Sequence, residues 1–331
     1  MRVVVESGSR FETDVTRALD REYPRSLQQA DDSFYAGLGL LTEQHSIRST
    51  LVTSAATSHA YYDEGARVLR VRGTPVPRRS DLLYELVRAL IDQNFGLRRT
   101  WGLRARDRDA ALAANLVIEG TAALASGTRP PTARSSPLGR FLALEQDDGL
   151  GSGRRLIAQL RYLGGKAAVR TALRVFPPTT ADVLHVDKFL QRETALPVTL
   201  PKTIGELQLS RSETFGELDV LALLRAFDVA NADTVAAGWA GGRLAQYTTA
   251  DGASSVALVI HWDTPEDAAA WRDAAPVYVA AAFPDAQARL CPAVDHCWLT
   301  GDRELASALN GNVTVLTSGA QGEFVAAVLA S

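Results

Sequence analysis

The chain has 331 residues, of which 46% are hydrophobic and 22% are charged, and its formal net charge is −3 at pH 7. This composition supplies a packed core and excludes wholesale disorder. The length exceeds that of the usual single domain, so we expect two units. A small net charge, with arginines spread along the chain and not interleaved with aromatic residues, argues against nucleic-acid binding.

Every apolar stretch is interrupted by charged residues well before the length of a transmembrane helix, so the sequence predicts no membrane span. The first ten residues contain no apolar segment typical of a signal peptide. Cys291 and Cys297 are the two cysteines, and their spacing suits a disulfide across a hairpin, with two free thiols as the alternative. A disulfide would indicate an oxidising compartment, and an extracytoplasmic location would then require a removed leader. Localisation is left open.

Helical periodicity dominates the first two thirds of the chain. The residues from Ala66 to Arg72 alternate between apolar and basic, which predicts an edge strand with one solvated face. Apolar residues then recur at helical spacing, and a Gly164–Gly165 pair interrupts the last pattern. The predicted helices are residues 12–22, 27–41, 81–95, 107–126 and 152–176, followed by a short helix and irregular chain to about 205.

Beyond Gly216 the pattern changes to mixed helix and strand. Predicted here are a helix at 217–228, strands at 243–248 and 255–262, a helix at 265–281, two short strands around the cysteines, a strand near 312–316 and a closing helix. We therefore predict an α+β protein: a mainly helical domain with a small edge sheet over residues 1–205, and an α+β domain with an antiparallel sheet over residues 206–331.

One segment of the helix at 81–95 has a chemically informative spacing. In zincins, the motif H-E-x-x-H places two histidines four residues apart on one helical face, where they bind zinc while the glutamate activates water. Here the corresponding residues are Tyr84, Glu85 and Arg88. On the helix at 107–126, Glu119 lies in the same stripe as Leu112, Leu116 and Ala123.

Taken in order, several segments resemble zinc metallopeptidases of the bacterial gluzincin group. These proteins carry a tyrosine–aspartate segment before a strand, the motif H-E-L-T-H-A-L-Q-D-Q-x-F, a v-E-G-x-A helix and a segment ending in V-L-H. The matching segments here are Tyr61–Asp63, Tyr84–Phe95, Val117–Ala122 and Phe176–His185, with Gly238–Trp239 and His261–Thr264 similar to C-terminal portions. The resemblance spans roughly residues 30–265.

The resemblance implies a role for each matching position. Glu85 matches the general base, Glu119 matches the third zinc ligand, and Tyr84 and Arg88 match the two histidine ligands. Arginine has no lone pair for a cation, and a phenolate with one carboxylate makes a poor zinc site, so we expect zinc to be absent and no cofactor in its place. His185 matches a position that could face substrate, although a lone loop histidine is more often structural.

A buried Glu119 needs a cation or a proton, because an unpaired buried carboxylate is costly. We predict that the Arg88 guanidinium takes the position of the metal. It would pair with Glu119 and also with Glu85, and the Tyr84 hydroxyl would be a further donor.

Three interpretations follow from the sequence. The first is a catalytically inactive homologue that binds a peptide or protein in the old cleft. The second is an enzyme that uses Glu85, Arg88 and Tyr84 in metal-free hydrolase or lyase chemistry, and the third is a structural protein with a filled cleft. The sequence leaves open whether the chain forms a homo-oligomer.

Overall fold

The chain divides into two units in the computed structural model, which describes residues 1–41, 46–104, 106–127, 136–292, 294–301, 303–319 and 322–329. The first unit comprises Met1–Asp31, His45–Ala133 and Glu145–Glu193, and the second comprises Asp32–Gln44, Arg134–Leu144 and Thr194–Ser331.

This division differs from the contiguous one predicted at 205/206, because two early segments belong to the second unit. Gly37 lies so close to Val256 that a Cβ at this position would overlap the valine side chain. The Tyr278 hydroxyl donates a hydrogen bond of 2.6 Å to the Leu38 carbonyl oxygen. Long-range contacts of this kind leave no signal in local periodicity.

The first unit is mainly helical, as predicted, with one small sheet. Its elements are β1 (Arg2–Glu6), α1 (Gly8–Glu22), the start of α2 (Arg25–Gly37), α3 (Ile47–Thr57), β2 (Ala60–Asp63), β3 (Val68–Arg72), α4 (Arg79–Phe95), a 3₁₀ turn (Leu97–Thr100), α5 (Trp101–Arg104), α6 (Arg108–Ser126), most of α7 (Pro137–Arg174), α8 (Thr180–Leu184) and α9 (Val186–Gln191).

The small sheet has the order β1-β3-β2, so β3 is its central strand and the prediction of an edge strand is wrong. β1 pairs with β3 in parallel and β2 pairs with it antiparallel. The basic residues of β3 are covered, since the Arg70 side chain is only 14% exposed and contacts Glu6, Asp14 and Asp63 at 2.7–3.1 Å. The apparent solvated face is therefore a layer of ion pairs against α1.

Helices α4 and α6 begin and end where local chemistry favours it. The Asp107 side chain caps α6 by accepting a hydrogen bond from the Ala110 amide, and Gly127 ends it in the left-handed conformation. Gly96 ends α4 in the same way. Both helices match their predicted ranges to within two residues. Tyr84, Glu85 and Arg88 therefore lie on α4, and Glu119 lies on the neighbouring helix α6.

A glycine contact sets the distance between α6 and α7. A Cβ on Gly120 would overlap the backbone of Gly153, and a Cβ on Gly153 would overlap the carbonyl group of Leu116. The two helices therefore touch backbone to backbone, one residue beyond Glu119.

Helix α7 is broken at Gly165, whose φ of 62° and ψ of −153° are non-helical. The break agrees with the predicted interruption at Gly164–Gly165, although α7 begins earlier than expected. This region of φ and ψ is essentially restricted to glycine.

The second unit contains an eight-stranded antiparallel sheet with the order β4-β5-β6-β7-β11-β10-β9-β8. Its strands are β4 (Thr203–Ile204), β5 (Leu207–Thr214), β6 (Trp239–Thr248), β7 (Ser254–Trp262), β8 (Gln287–Arg289), β9 (His296–Thr300), β10 (Arg303–Asn310) and β11 (Val313–Ser318). The helices are α10 (Glu217–Ala226), α11 (Ala232–Ala237), α12 (Pro265–Ala282) and α13 (Gly322–Leu329). The α+β class predicted from the sequence is confirmed.

Several local predictions for this unit are also confirmed. Thr264 caps α12 in a capping box with Asp267, with Pro265 as the first helical residue. Cys291 and Cys297 form a disulfide, which is one of the two alternatives that the sequence left open, and Cys297 lies on β9. Strands β4, β5 and β10 were not predicted.

Within the described part of the chain, no helix combines the length and the apolar character needed to cross a membrane.

Candidate functional site

Arg88 lies at the centre of a group of carboxylates in the first unit. Its guanidinium contacts Glu64 at 2.7 Å, Glu85 at 3.3 Å and Glu119 at 3.0 Å. The contact with Glu119 is an ion pair without a hydrogen bond, because the Arg88 Nε–H does not point at the carboxylate oxygen. The predicted pairing of Arg88 with Glu119 and Glu85 is therefore confirmed.

Neighbouring elements fix the orientation of two of these carboxylates. Glu85 Oε2 accepts a hydrogen bond of 2.8 Å from the Tyr62 backbone amide of β2. Glu64 follows β2 directly, and its Oε2 accepts a hydrogen bond of 3.1 Å from the Trp101 indole nitrogen. Side chains from α4, α5 and the end of β2 thus hold one another in place around Arg88.

A fourth carboxylate, Glu22 at the end of α1, belongs to the same electrostatic environment. It accepts hydrogen bonds of 2.9 Å from the Tyr61 hydroxyl at both carboxylate oxygens. Its charge interacts with those of Glu64 and Arg88. We call Glu22, Glu64, Glu85, Arg88 and Glu119 the Arg88 cluster.

The cluster holds more potential negative charge than one arginine can balance. Four ionised glutamates and one guanidinium would sum to −3, from four negative charges and one positive charge. Burial, followed by repulsion from Glu64 and Glu22, raises the pKa of Glu119 to about 8. Burial and the Glu64 charge raise the pKa of Glu22 to about 7, and burial also raises the pKa of Glu85. The cluster therefore retains protons near neutral pH.

The donor set does not fit zinc. A zinc site needs lone-pair donors arranged tetrahedrally, whereas the Arg88 guanidinium offers only hydrogen-bond donors and a positive charge. It lies between Glu85, Glu119 and Glu64 and engages all three carboxylates. Elsewhere in the described ranges, no group of three histidine, cysteine or acidic side chains is arranged to hold a metal ion.

Two other residues predicted from the sequence lie outside this arrangement. Among the described residues, the Tyr84 hydroxyl has no hydrogen-bond partner, so its predicted role as a donor to the carboxylates is wrong. Tyr84 is half-buried on α4, and the tyrosine that donates within the cluster is Tyr61. His185 lies at the junction of α8 and α9, where its backbone amide donates to the Ala181 carbonyl oxygen.

Three residues of this site, Glu22, Glu64 and Trp101, were not predicted from the sequence. Glu64 follows directly on Tyr61–Asp63, the segment singled out by the resemblance, so an extension by one residue would have included it. Glu22 carried no comparable signal, since an acidic residue at the end of an amphipathic helix is usually solvated.

The raised pKa values predict how stability depends on pH. The folded protein holds protons on Glu119 and Glu22 up to about pH 8 and 7, whereas the unfolded chain releases them near 4.5. Because the unfolded state then binds fewer protons, the free energy of unfolding should fall as pH rises from 5 to 8.5. Urea denaturation across this range should show a flatter profile for Glu119→Gln.

Glu12→Gln is the matched control for this measurement. Glu12 is a half-exposed glutamate of α1 that pairs with Arg72 of β3. Its profile should parallel that of the wild type. A Glu119→Gln profile as steep as the wild type would show that Glu119 is ionised in the folded protein at neutral pH.

The chain matches one known family, and the match lies in the second unit. A family model described as a domain of unknown function (DUF8575) matches residues 204–328. The matched domain has no known function. It covers the eight-stranded sheet and its helices and does not include the Arg88 cluster. No curated protein and no solved structure matches the chain, so the resemblance to zinc metallopeptidases stays a prediction.

Proposed function

We propose that this protein is a catalytically inactive relative of the zinc metallopeptidases that acts by binding a peptide, protein or other ligand. The observation that carries the proposal is the position of Arg88, whose guanidinium contacts the carboxylates matching the general base and the third zinc ligand. A fixed positive side chain stands where the resemblance would require a metal ion.

Arginine cannot supply the chemistry of zinc. Zinc polarises a carbonyl group and lowers the pKa of bound water to about 7, whereas a guanidinium stabilises charge without generating hydroxide. The metal-free alternative would need Glu85 as a base that reaches substrate. The Glu85 side chain is only 11% exposed, and one oxygen already accepts hydrogen bonds from Tyr62 and Arg88. This burial favours a structural role for the cluster.

If the cluster has a structural role, a ligand would bind at a surface other than the one around Glu85. The cluster links α1, α4, α6 and the end of β2, and Trp101 of α5 is joined to it through Glu64, so the cluster stabilises the helical scaffold of the first unit. Any ligand of that scaffold would contact other surfaces of the same helices. The proposed function is therefore a binding role without hydrolysis.

Metal analysis and a peptidase assay test this proposal. Protein purified without chelators is expected to contain far less than one zinc per chain and to leave casein uncleaved. Stoichiometric zinc or efficient cleavage would overturn the proposal.

Restoring the two histidines tests the zincin-like scaffold itself. The double variant Tyr84→His, Arg88→His carries two imidazoles four residues apart on α4, with position 88 next to Glu119 on α6. We expect it to bind about one zinc per chain by calorimetry, and the further change Glu119→Ala should weaken this binding at least about tenfold. A folded double variant that binds no zinc would contradict the metallopeptidase resemblance.

A further inference from the structure

A pocket of about 470 Å³ lies at the C-terminal ends of α4 and α6, the helices that carry Glu85, Arg88 and Glu119. Its apolar wall is formed by Phe95 of α4, Leu124 of α6, and Ile157, Val169 and Leu173 of α7. The volume is in the range of small-molecule sites, which are mostly apolar with a few placed polar groups. The volume and the lining of the pocket therefore suit the apolar part of a small-molecule ligand.

The break in α7 builds one side of this pocket. Ile157 and Arg161 precede Gly165, whereas Lys166, Val169 and Leu173 follow it. Because Gly165 turns the chain, both halves of α7 contribute side chains to the same concavity. The pocket depends on a backbone conformation that other residues rarely adopt.

Three cations line the pocket: Arg161, Lys166 and Arg170. All three are exposed, and among the described residues none of them has an ion-pair or hydrogen-bond partner. None of the described lining residues is acidic. The pocket therefore combines an apolar wall with uncompensated positive charge.

A second pocket, at β1 and α1, is different in this respect. It is also rich in arginine, but acidic side chains within the protein already engage these arginines. Arg70 contacts Glu6 and Asp14, and Arg10 and Arg17 both contact Asp14. The charge of that pocket is largely neutralised internally, so it gives a weaker indication of an anionic ligand.

We propose that the α4–α6–α7 pocket binds an anion with an apolar body, of the class of a medium-chain carboxylate. The alkyl chain would lie against Phe95, Leu124 and Leu173, and the carboxylate would pair with the three cations at the rim. This inference rests on the proposed binding role and adds to it a site and a ligand class.

Calorimetric titration of the full-length protein with decanoate, below its micelle-forming concentration, tests the inference. Saturable binding with one site per chain is expected. Decyltrimethylammonium and decyl maltoside, which carry similar chains with opposite or no charge, should bind at least about tenfold more weakly. Raising the salt concentration should weaken decanoate binding, because the charges are exposed.

Two variants separate the apolar and charged parts of the site. Ala125→Trp adds a large side chain at an exposed lining position and should abolish binding without disturbing the core. The triple change Arg161→Ala, Lys166→Ala, Arg170→Ala should weaken binding about tenfold or more. Arg174→Ala, an exposed arginine of the same helix outside the pocket, is the matched control and should bind as the wild type does.

The inference is overturned if decanoate does not bind, if all three amphiphiles bind equally, or if Ala125→Trp binds unchanged. Binding of an acidic amphipathic peptide at this pocket in place of decanoate would also overturn the ligand class. These outcomes are distinct from failure of the proposed function, which would appear as zinc content or peptidase activity regardless of decanoate binding.

Discussion

Replacing Arg88 with methionine is expected to lower the free energy of unfolding by about 3–5 kcal/mol at pH 8, because the change removes the shared partner of buried carboxylates. Methionine keeps much of the side-chain length but no charge. At pH 5 the loss should be smaller, since Glu22, Glu85 and Glu119 have raised pKa values and accept protons readily. Urea denaturation at both pH values measures the two losses.

Arg78→Met is the matched control for this experiment. Arg78 immediately precedes α4 and pairs with Asp81, but its side chain is 79% exposed. Surface ion pairs of this kind contribute little, so this variant should unfold almost as the wild type does at either pH. An Arg88→Met variant that behaved like the control would show that the carboxylates do not depend on the guanidinium.

The second large effect is expected at the contact between α6 and α7. The variant Gly120→Ala should be destabilised by about 3 kcal/mol or more, because the new methyl group meets the backbone of Gly153 and cannot be accommodated by a rotamer change. The helices would have to separate, which would also displace Glu119 from Arg88. Thermal and chemical denaturation measure the loss.

Gly151→Ala provides an internal comparison on α7, the helix that α6 contacts at Gly153. Its added Cβ would approach only the flexible end of Arg155, at 3.6 Å. Alanine has the higher helix propensity, so this variant should gain about 0.5–1 kcal/mol. Equal losses at both positions would mean that the helix contact is looser than the structure shows.

Local patterns predicted those parts of the candidate site that depend on one helix at a time. The apolar spacing of residues 81–95 and 107–126 located α4 and α6 to within two residues. The argument that a buried Glu119 needs a cation identified Arg88 as its partner. Both inferences use only helical geometry and the cost of an unpaired charge.

Features that depend on tertiary contact were beyond this reasoning. Glu22 and Glu64 lie more than 20 residues from Arg88 along the chain, and no local pattern shows that their charges act on the same guanidinium. The basic face of β3 read as solvated because its acidic partners lie on β1, α1 and β2. The burial of such charged residues cannot be predicted from the pattern alone, since a strand that alternates apolar and basic residues can face either water or a layer of ion pairs.

The discontinuous make-up of the second unit affects how the protein is synthesised. Phe34 and Tyr35 are buried in the finished unit, where Phe34 packs under the Arg211 guanidinium and Tyr35 contacts the Phe141 ring. Translation proceeds at about 5–20 residues per second, so Phe34 is synthesised roughly 9–35 s before Arg211. During that interval its apolar surface has no native partner from β5. This early segment is therefore where a nascent chain most needs protection from misassociation.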